Sequence, residues 1–216
     1  MKKYEAILFD LDGTLLNTIG DLTEAVNHAQ RSFGYPTHTV EEVTAMVGNG
    51  IRKLLERATP EGENNPNFDD VLHSFVEYYI AHVAVKTDYY PGIPELVEQL
   101  QQRGVKMAIV SNKFQAGCEE LRERFFERTI QTVLGDGEGR RRKPSTDAPF
   151  QAMRELNAKP YKTLYVGDSN VDAQTAENAG MDYVLVSWGF SPREDLEKWS
   201  PLEIAESPED ILKYFS

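Results

Sequence analysis

The run Ala6-Ile7-Leu8-Phe9, followed directly by Asp10-Leu11-Asp12-Gly13-Thr14, constrains this chain more than any other stretch. Four apolar residues in a row, without alternation, predict a strand buried on both faces, as in a parallel sheet covered by helices. Aspartate and glycine are depleted in strands, so the strand ends at Asp10. In open α/β sheets ligands sit just beyond the carboxyl ends of the strands. Two carboxylates, a glycine and a hydroxyl at that point read as a chemical site.

The same rhythm returns downstream. Residues 105–110, 129–134, 163–166 and 183–186 are further strand runs, separated by amphipathic helices. Alternation of this kind implies an α/β fold with a mostly parallel sheet of about five strands and right-handed crossovers. One block breaks it. Ile19, Leu22, Val26, Ala29 and Phe33, and then Phe68, Val71, Leu72, Phe75, Val76, Tyr79, Ile80 and Val83, recur at helical steps. A crossover needs one helix, whereas this insertion holds enough for a small bundle. The expected organisation is a core of residues 1–16 and 86–216 interrupted by a helical domain of residues 17–85.

The formal net charge of −12 disfavours nucleic acid and anionic membranes as partners, because both require a basic surface. No apolar run approaches the ~18 residues that span a bilayer. Residues Met1 to Glu5 lead into the first strand without a signal-peptide core, and Cys118 is the only cysteine. The expected location is the cytoplasm. Cys118 falls in an amphipathic helix and reads as a small core residue. The sequence favours neither a monomer nor a dimer.

In a parallel sheet the carboxyl ends of all strands point one way, so residues that follow different strands meet at one edge. Four exits carry complementary groups: Asp10 and Asp12, then Ser111 and Asn112, then Lys143, then Asp168 and Asp172. Asp10, Asp168 and a backbone carbonyl are hard oxygen ligands suited to magnesium, which would offset the negative field around an anionic substrate. Thr14, Ser111 and Lys143 offer donors to phosphoryl oxygens. The expected chemistry is magnesium-dependent phosphoryl transfer with Asp10 as nucleophile.

The spacing Asp10-x-Asp12-Gly13-Thr14, Ser111, Lys143-Pro144 and Gly167-Asp168-Ser169-x-x-Asp172 resembles the four motifs of the haloacid dehalogenase (HAD) superfamily, in its aspartyl-phosphate phosphatase branch. Val47-Gly48-Asn49-Gly50 and Ser111-Asn112-Lys113 are most similar to the phosphoglycolate phosphatases and their pyrophosphatase relatives. The resemblance implies a Rossmann-like core with an α-helical cap of the first type (C1) inserted after the first strand. It implies that Asp10 forms a covalent aspartyl-phosphate and that Asp12 shuttles the proton, with its carbonyl on the metal. Asp168 would be a metal ligand, and Asp172 a ligand or a partner of metal-bound water. Gly13, Thr14, Ser111, Asn112 and Lys143 would hold the phosphate. The chain departs from many relatives at Asn17-Thr18, where they carry Asp-Ser or Asp-Thr.

Other readings stand beside these. Asp172 also suits a helix N-terminus, and Lys143 a solvated loop. In the insertion, Asn49, Gly50 and Arg52 either form a plain turn into a helix or bind the carboxylate or distal phosphate of a substrate. Arg140 to Arg142 read as a solvated basic run. His28, His38, His73 and His82 lack metal-ligand spacing. The expected activity is hydrolysis of a small phosphate ester, phosphoglycolate first. A pyrophosphatase and a sugar phosphomutase are the near alternatives, and a non-catalytic phosphate-binding or regulatory protein the distant one. A dehalogenase is disfavoured, because Asp12 would be an unneeded acid for halide departure.

Overall fold

The computed structural model describes residues 4–137 and 139–215, so that Met1 to Lys3, Glu138 and Ser216, which fall within the core expected over residues 1–16 and 86–216, lie outside the described residues. The chain divides into two compact units, residues 1–17 with 89–216, and residues 18–88.

The first unit begins with β1 (Ala6–Phe9), all four of whose side chains are fully buried. A tight turn leads to the short β2 (Leu16–Asn17). The second unit then supplies α1 (Ile19–Ser32), α2 (Val40–Met46), α3 (Ile51–Ala58) and α4 (Phe68–His82). The first unit resumes around β3 (Asp88–Tyr89), which pairs with β2 in a two-stranded ribbon. It continues through α5 (Ile93–Gln102), β4 (Lys106–Phe114), α6 (Gln115–Phe126), β5 (Thr132–Asp136), α7 (Asp147–Glu155), β6 (Thr163–Gly167), α8 (Asn170–Asn178) and β7 (Asp182–Val186). It closes with α9 (Arg193–Leu196), β8 (Glu203–Ala205) and α10 (Glu209–Leu212).

The main sheet is parallel throughout, in the order β5-β4-β1-β6-β7-β8. It has six strands rather than the expected five or so. The added strand, β8, is three residues long and joins through main-chain pairing with β7, so no apolar run announces it. Strand order runs outward in both directions from the pair β1 and β6. That reversal opens the crevice where α/β sheets bind ligands. Phe9 stands opposite Ile109 on one side and Val166 on the other, which brings the ends of β1 and β6 level with the middle of β4, where its pairing with β5 shifts register across Ser111, Asn112 and Lys113.

In the helical unit, α2 opens with a capping box in which the Thr39 hydroxyl accepts from the Glu42 amide and the Glu42 carboxylate accepts from the Thr39 amide. The apolar stripe of α4 is wider than the face it buries: Val71, Phe75 and Tyr79 are interior, whereas Ile80 is exposed. Asp21, on α1, is buried and accepts from the amides of Val85, Lys86 and Thr87 and from the Thr87 hydroxyl, at 2.6–3.1 Å. One carboxylate thus fastens the return segment to the first helix. No helix among the described residues is long and apolar enough to cross a membrane.

Candidate active site

Each group of the core site stands where an apolar strand run gives out. Asp10 is anchored by its own amide, which donates to Val166 O at 2.8 Å. The chain then turns as the amides of Thr14, Leu15 and Leu16 converge on Leu11 O. Gly13 holds this turn at φ +86°, and a Cβ on it would fall 2.3 Å from Asp168 Oδ2. Backbone and space both call for glycine. The Thr14 hydroxyl is buried without a hydrogen-bond partner, as suits a donor kept for an incoming acceptor.

Lys143 is the centre of the cluster. Its Nζ lies 2.7 Å from Asp10 Oδ1 and 2.7 Å from Asp172 Oδ1. Asn112 fixes the lysine main chain, donating from Nδ2 to Lys143 O at 3.0 Å and accepting at Oδ1 from Lys143 N at 2.7 Å. Asn112, expected among the phosphate ligands, also holds the Lys143 main chain in place. Ser111 is buried at the same exit, its hydroxyl oxygen accepting from the Lys113 amide.

Asp10, Asp168 and Asp172 are all buried and present carboxylate oxygens within 4.8 Å of one another. Burial, together with the charge of Asp172, pushes the Asp10 carboxyl up to about 7, against the opposing pull of Lys143. Burial and the charges of Asp172 and Asp10 likewise hold Asp168 well above the usual carboxylate range. Lys143 is itself buried, which works against its charge, but Asp10 and Asp172 outweigh this and keep the ammonium. With Asp12 and Lys113 included, two lysines face four carboxylates, a shortfall of positive charge that the raised Asp10 and Asp168 carboxyls meet by holding protons. A crowded, all-oxygen donor set of that charge fits a hard divalent cation.

Two parts of the site escaped the sequence reading. Lys113 buries its side chain and places Nζ 3.0 Å from Asp12 Oδ1, so the second aspartate is held by a lysine that stood in view beside Ser111 and Asn112. The loop after β7 is the other. Phe190 N donates to Asp168 Oδ2 at 2.7 Å, and Trp188 Nε1 donates to Thr14 O at 3.0 Å. A Cβ on Gly189 would sit 2.2 Å from Asp168 Cβ and 2.5 Å from Gly13 O, so the loop approaches Asp168 as closely as the backbone allows. The only signal available was a Trp-Gly-Phe sequence at a strand exit.

The arginine run is paired locally. Arg141 meets Asp147, Arg142 meets Asp136, and Arg140 donates to Gln115 Oε1 and Gly135 O. Cys118 is fully buried and burial pushes its thiol up, which makes it a core residue. In the helical unit, Gly48, Asn49 and Gly50 all take positive φ, and Arg57 pins this turn by donating to Met46 O, Gly48 O and Asn49 Oδ1. Arg52 pairs with Glu63 and Asp69 and lies 4.9 Å from the centre of the Phe68 ring. Among the described residues, no histidine joins a potential metal-ligand group.

Comparison with known proteins agrees with this geometry. The family model described as haloacid dehalogenase-like hydrolase matches residues 7–186. A phosphoglycolate phosphatase of Pseudomonas syringae pv. syringae is 32% identical over 211 residues, covering 95% of this chain and 78% of the relative. The phosphoglycolate phosphatase of Aquifex aeolicus is 29% identical, covering 96% and 94%. Among solved structures, one from Lactobacillus delbrueckii subsp. bulgaricus shares 34% identity over 99% of this chain and 98% of that one, with a TM-score of 0.93. The chain therefore belongs to the haloacid dehalogenase-like hydrolase family.

Proposed function

We propose that the protein is a magnesium-dependent cytoplasmic phosphatase that hydrolyses a small phosphate monoester, 2-phosphoglycolate first, through a covalent aspartyl-phosphate on Asp10. The observation that carries this reading is the buried group Asp10, Asp168 and Asp172 bridged by Lys143, with Asp12 held separately on Lys113. The names of the similar proteins support the substrate class.

The two aspartates of β1's exit divide the work. A carboxylate oxygen of Asp10 attacks phosphorus, and the bond from phosphorus to the ester oxygen breaks with its electron pair leaving on that oxygen. Asp12 gives the departing oxygen a proton. It then takes one from the water that attacks the aspartyl-phosphate, releasing phosphate and restoring Asp10. Lys143, Ser111 and Thr14 donate to the phosphoryl oxygens, where negative charge grows. Bound by Asp10, Asp168, the Asp12 carbonyl and Asp172, directly or through water, magnesium would supply the positive charge that lets an anion approach this acidic cluster. Gly13 leaves room for these groups to converge. Residues 18–88 are assigned the role of a cap that governs substrate choice, with Asn49 and Gly50 as recognition residues. Arg52 joins them as an exposed guanidinium that would exchange Glu63 and Asp69 for a substrate anion.

Phosphate release from 2-phosphoglycolate, pyrophosphate, hexose phosphates and nucleotides, with and without magnesium and with Asp10→Asn as control, tests the assignment. Magnesium-dependent release fastest on 2-phosphoglycolate is expected. Release undiminished in Asp10→Asn overturns the covalent mechanism. Preference for pyrophosphate, or isomerisation of a sugar phosphate faster than its hydrolysis, replaces the substrate assignment. No turnover on any substrate points to a binding protein.

A further inference from the structure

Tyr165 lies in the middle of β6, fully buried between Leu164 and Val166. A phenylalanine would fill that core position without the cost of burying a hydroxyl, so the hydroxyl's partner is informative. It donates to Asp172 Oδ1 at 3.1 Å. The same oxygen accepts from Lys143 Nζ at 2.7 Å, and that ammonium sits 5.9 Å from the centre of the Tyr165 ring. Ser169 Oγ donates to the other Asp172 oxygen at 2.5 Å. Gly167 provides the room, since a Cβ there would fall 2.3 Å from Asp172 Cβ. Burial holds the phenol well above its ordinary value, so it remains a donor.

We infer that Tyr165 is a positioning residue for the divalent-cation site, its hydroxyl fixing the orientation of Asp172 from the core side of the sheet. Lys143 alone does not fix Asp172, because its ammonium is shared with Asp10 and reaches only one of the two Asp172 oxygens. Tyr165 is a rigid ring set in a strand, with its hydroxyl 3.1 Å from the carboxylate oxygen. With Ser169 on the second oxygen, Asp172 is gripped at both ends before any cation arrives. Removing such an outer partner lowers metal affinity by roughly 10- to 100-fold in known sites. This inference rests on the metal reading proposed above.

The test is isothermal titration of Mg2+, and separately of Mn2+, into wild type and Tyr165→Phe, alongside urea unfolding of both proteins without metal. The expected result is about tenfold or greater weakening of cation binding in Tyr165→Phe, with cooperative metal-free unfolding retained. Affinities within about twofold of each other, well below that range, overturn the role of Tyr165 and leave the metal reading intact. Weakened binding in a variant that no longer unfolds cooperatively also overturns it, because a packing defect then explains both. Wild type that binds neither cation overturns the metal reading together with this inference.

Discussion

Asp21 in the helical unit and Asp10 in the core are both buried carboxylates, but their surroundings are opposite. Asp21 receives three main-chain amides and a hydroxyl, a full complement of donors. Asp10 shares a single lysine with Asp172 and stands within reach of that carboxylate and of Asp168. The first arrangement is satisfied by the fold and holds a chain segment in place. The second is left in deficit, and a buried deficit of positive charge persists only where a ligand is meant to supply it. Burial alone therefore does not separate structural from functional acids; the count of donors and neighbouring charges does.

The sharpest way to break this contrast is Asp10→Asn. Activity should fall at least about a thousandfold, as for loss of other nucleophiles, while the metal-free protein gains about 1 kcal/mol from relieved repulsion. A lower melting temperature for this variant without metal would show that the cluster is not strained. Asp21→Ala should behave in reverse. Removing the acceptor of three main-chain amides and of the buried Thr87 hydroxyl should cost about 3 kcal/mol in urea unfolding, with little change in the turnover of protein that remains folded. An equally stable variant would remove Asp21 from the satisfied class.

Lys113→Met sharpens the contrast within the core, because it strips Asp12 of its partner while preserving side-chain length. The expected loss is about tenfold in kcat, the low end for groups that orient a reacting side chain, with KM nearly unchanged. A change confined to KM would place Lys113 on the substrate instead. The smallest effect is a pH trend. Asp10 has a folded pKa of about 7, raised above its ordinary 3.8, so the native state holds this proton more tightly than the unfolded chain. That contribution is fully present below the unfolded value and is lost as pH rises through about 7. Relative to Asp10→Asn, metal-free wild type should lose stability between these limits, as read by unfolding at stepped pH. A flat difference would contradict the strained state of Asp10.

Much of the core was legible because charged or hydroxyl-bearing side chains follow apolar runs: Asp10, Ser111 and Asp168 stand at such breaks, and Lys143 follows the run before its loop. What escaped works by other means. Phe190 acts through a main-chain amide and Gly189 through the lack of a side chain, and neither property marks a residue as chemical in a sequence. Tyr165 reads as one more core residue of an apolar strand. Lys113 follows two polar residues and looks solvent-bound, yet its side chain is buried on Asp12. Asp21 looks like an ordinary acid near a helix start, since its amide partners lie more than sixty residues away. The hold of Asn112 on the Lys143 main chain was not legible, because it depends on how a distant loop returns to β4.

The order of strands in the sheet has a thermodynamic consequence. The groups around Asp10 come from the exits of β1, β4 and β6, with further contacts from the loops after β5 and β7, so no contiguous fragment contains the cluster. A cation held there binds the assembled sheet and ignores its pieces. At a concentration a hundred times its dissociation constant, such a ligand adds about 2.7 kcal/mol to global stability. A divalent cation would then act as a staple between strand exits far apart in the sequence, and its concentration would set what fraction of the sheet stays folded.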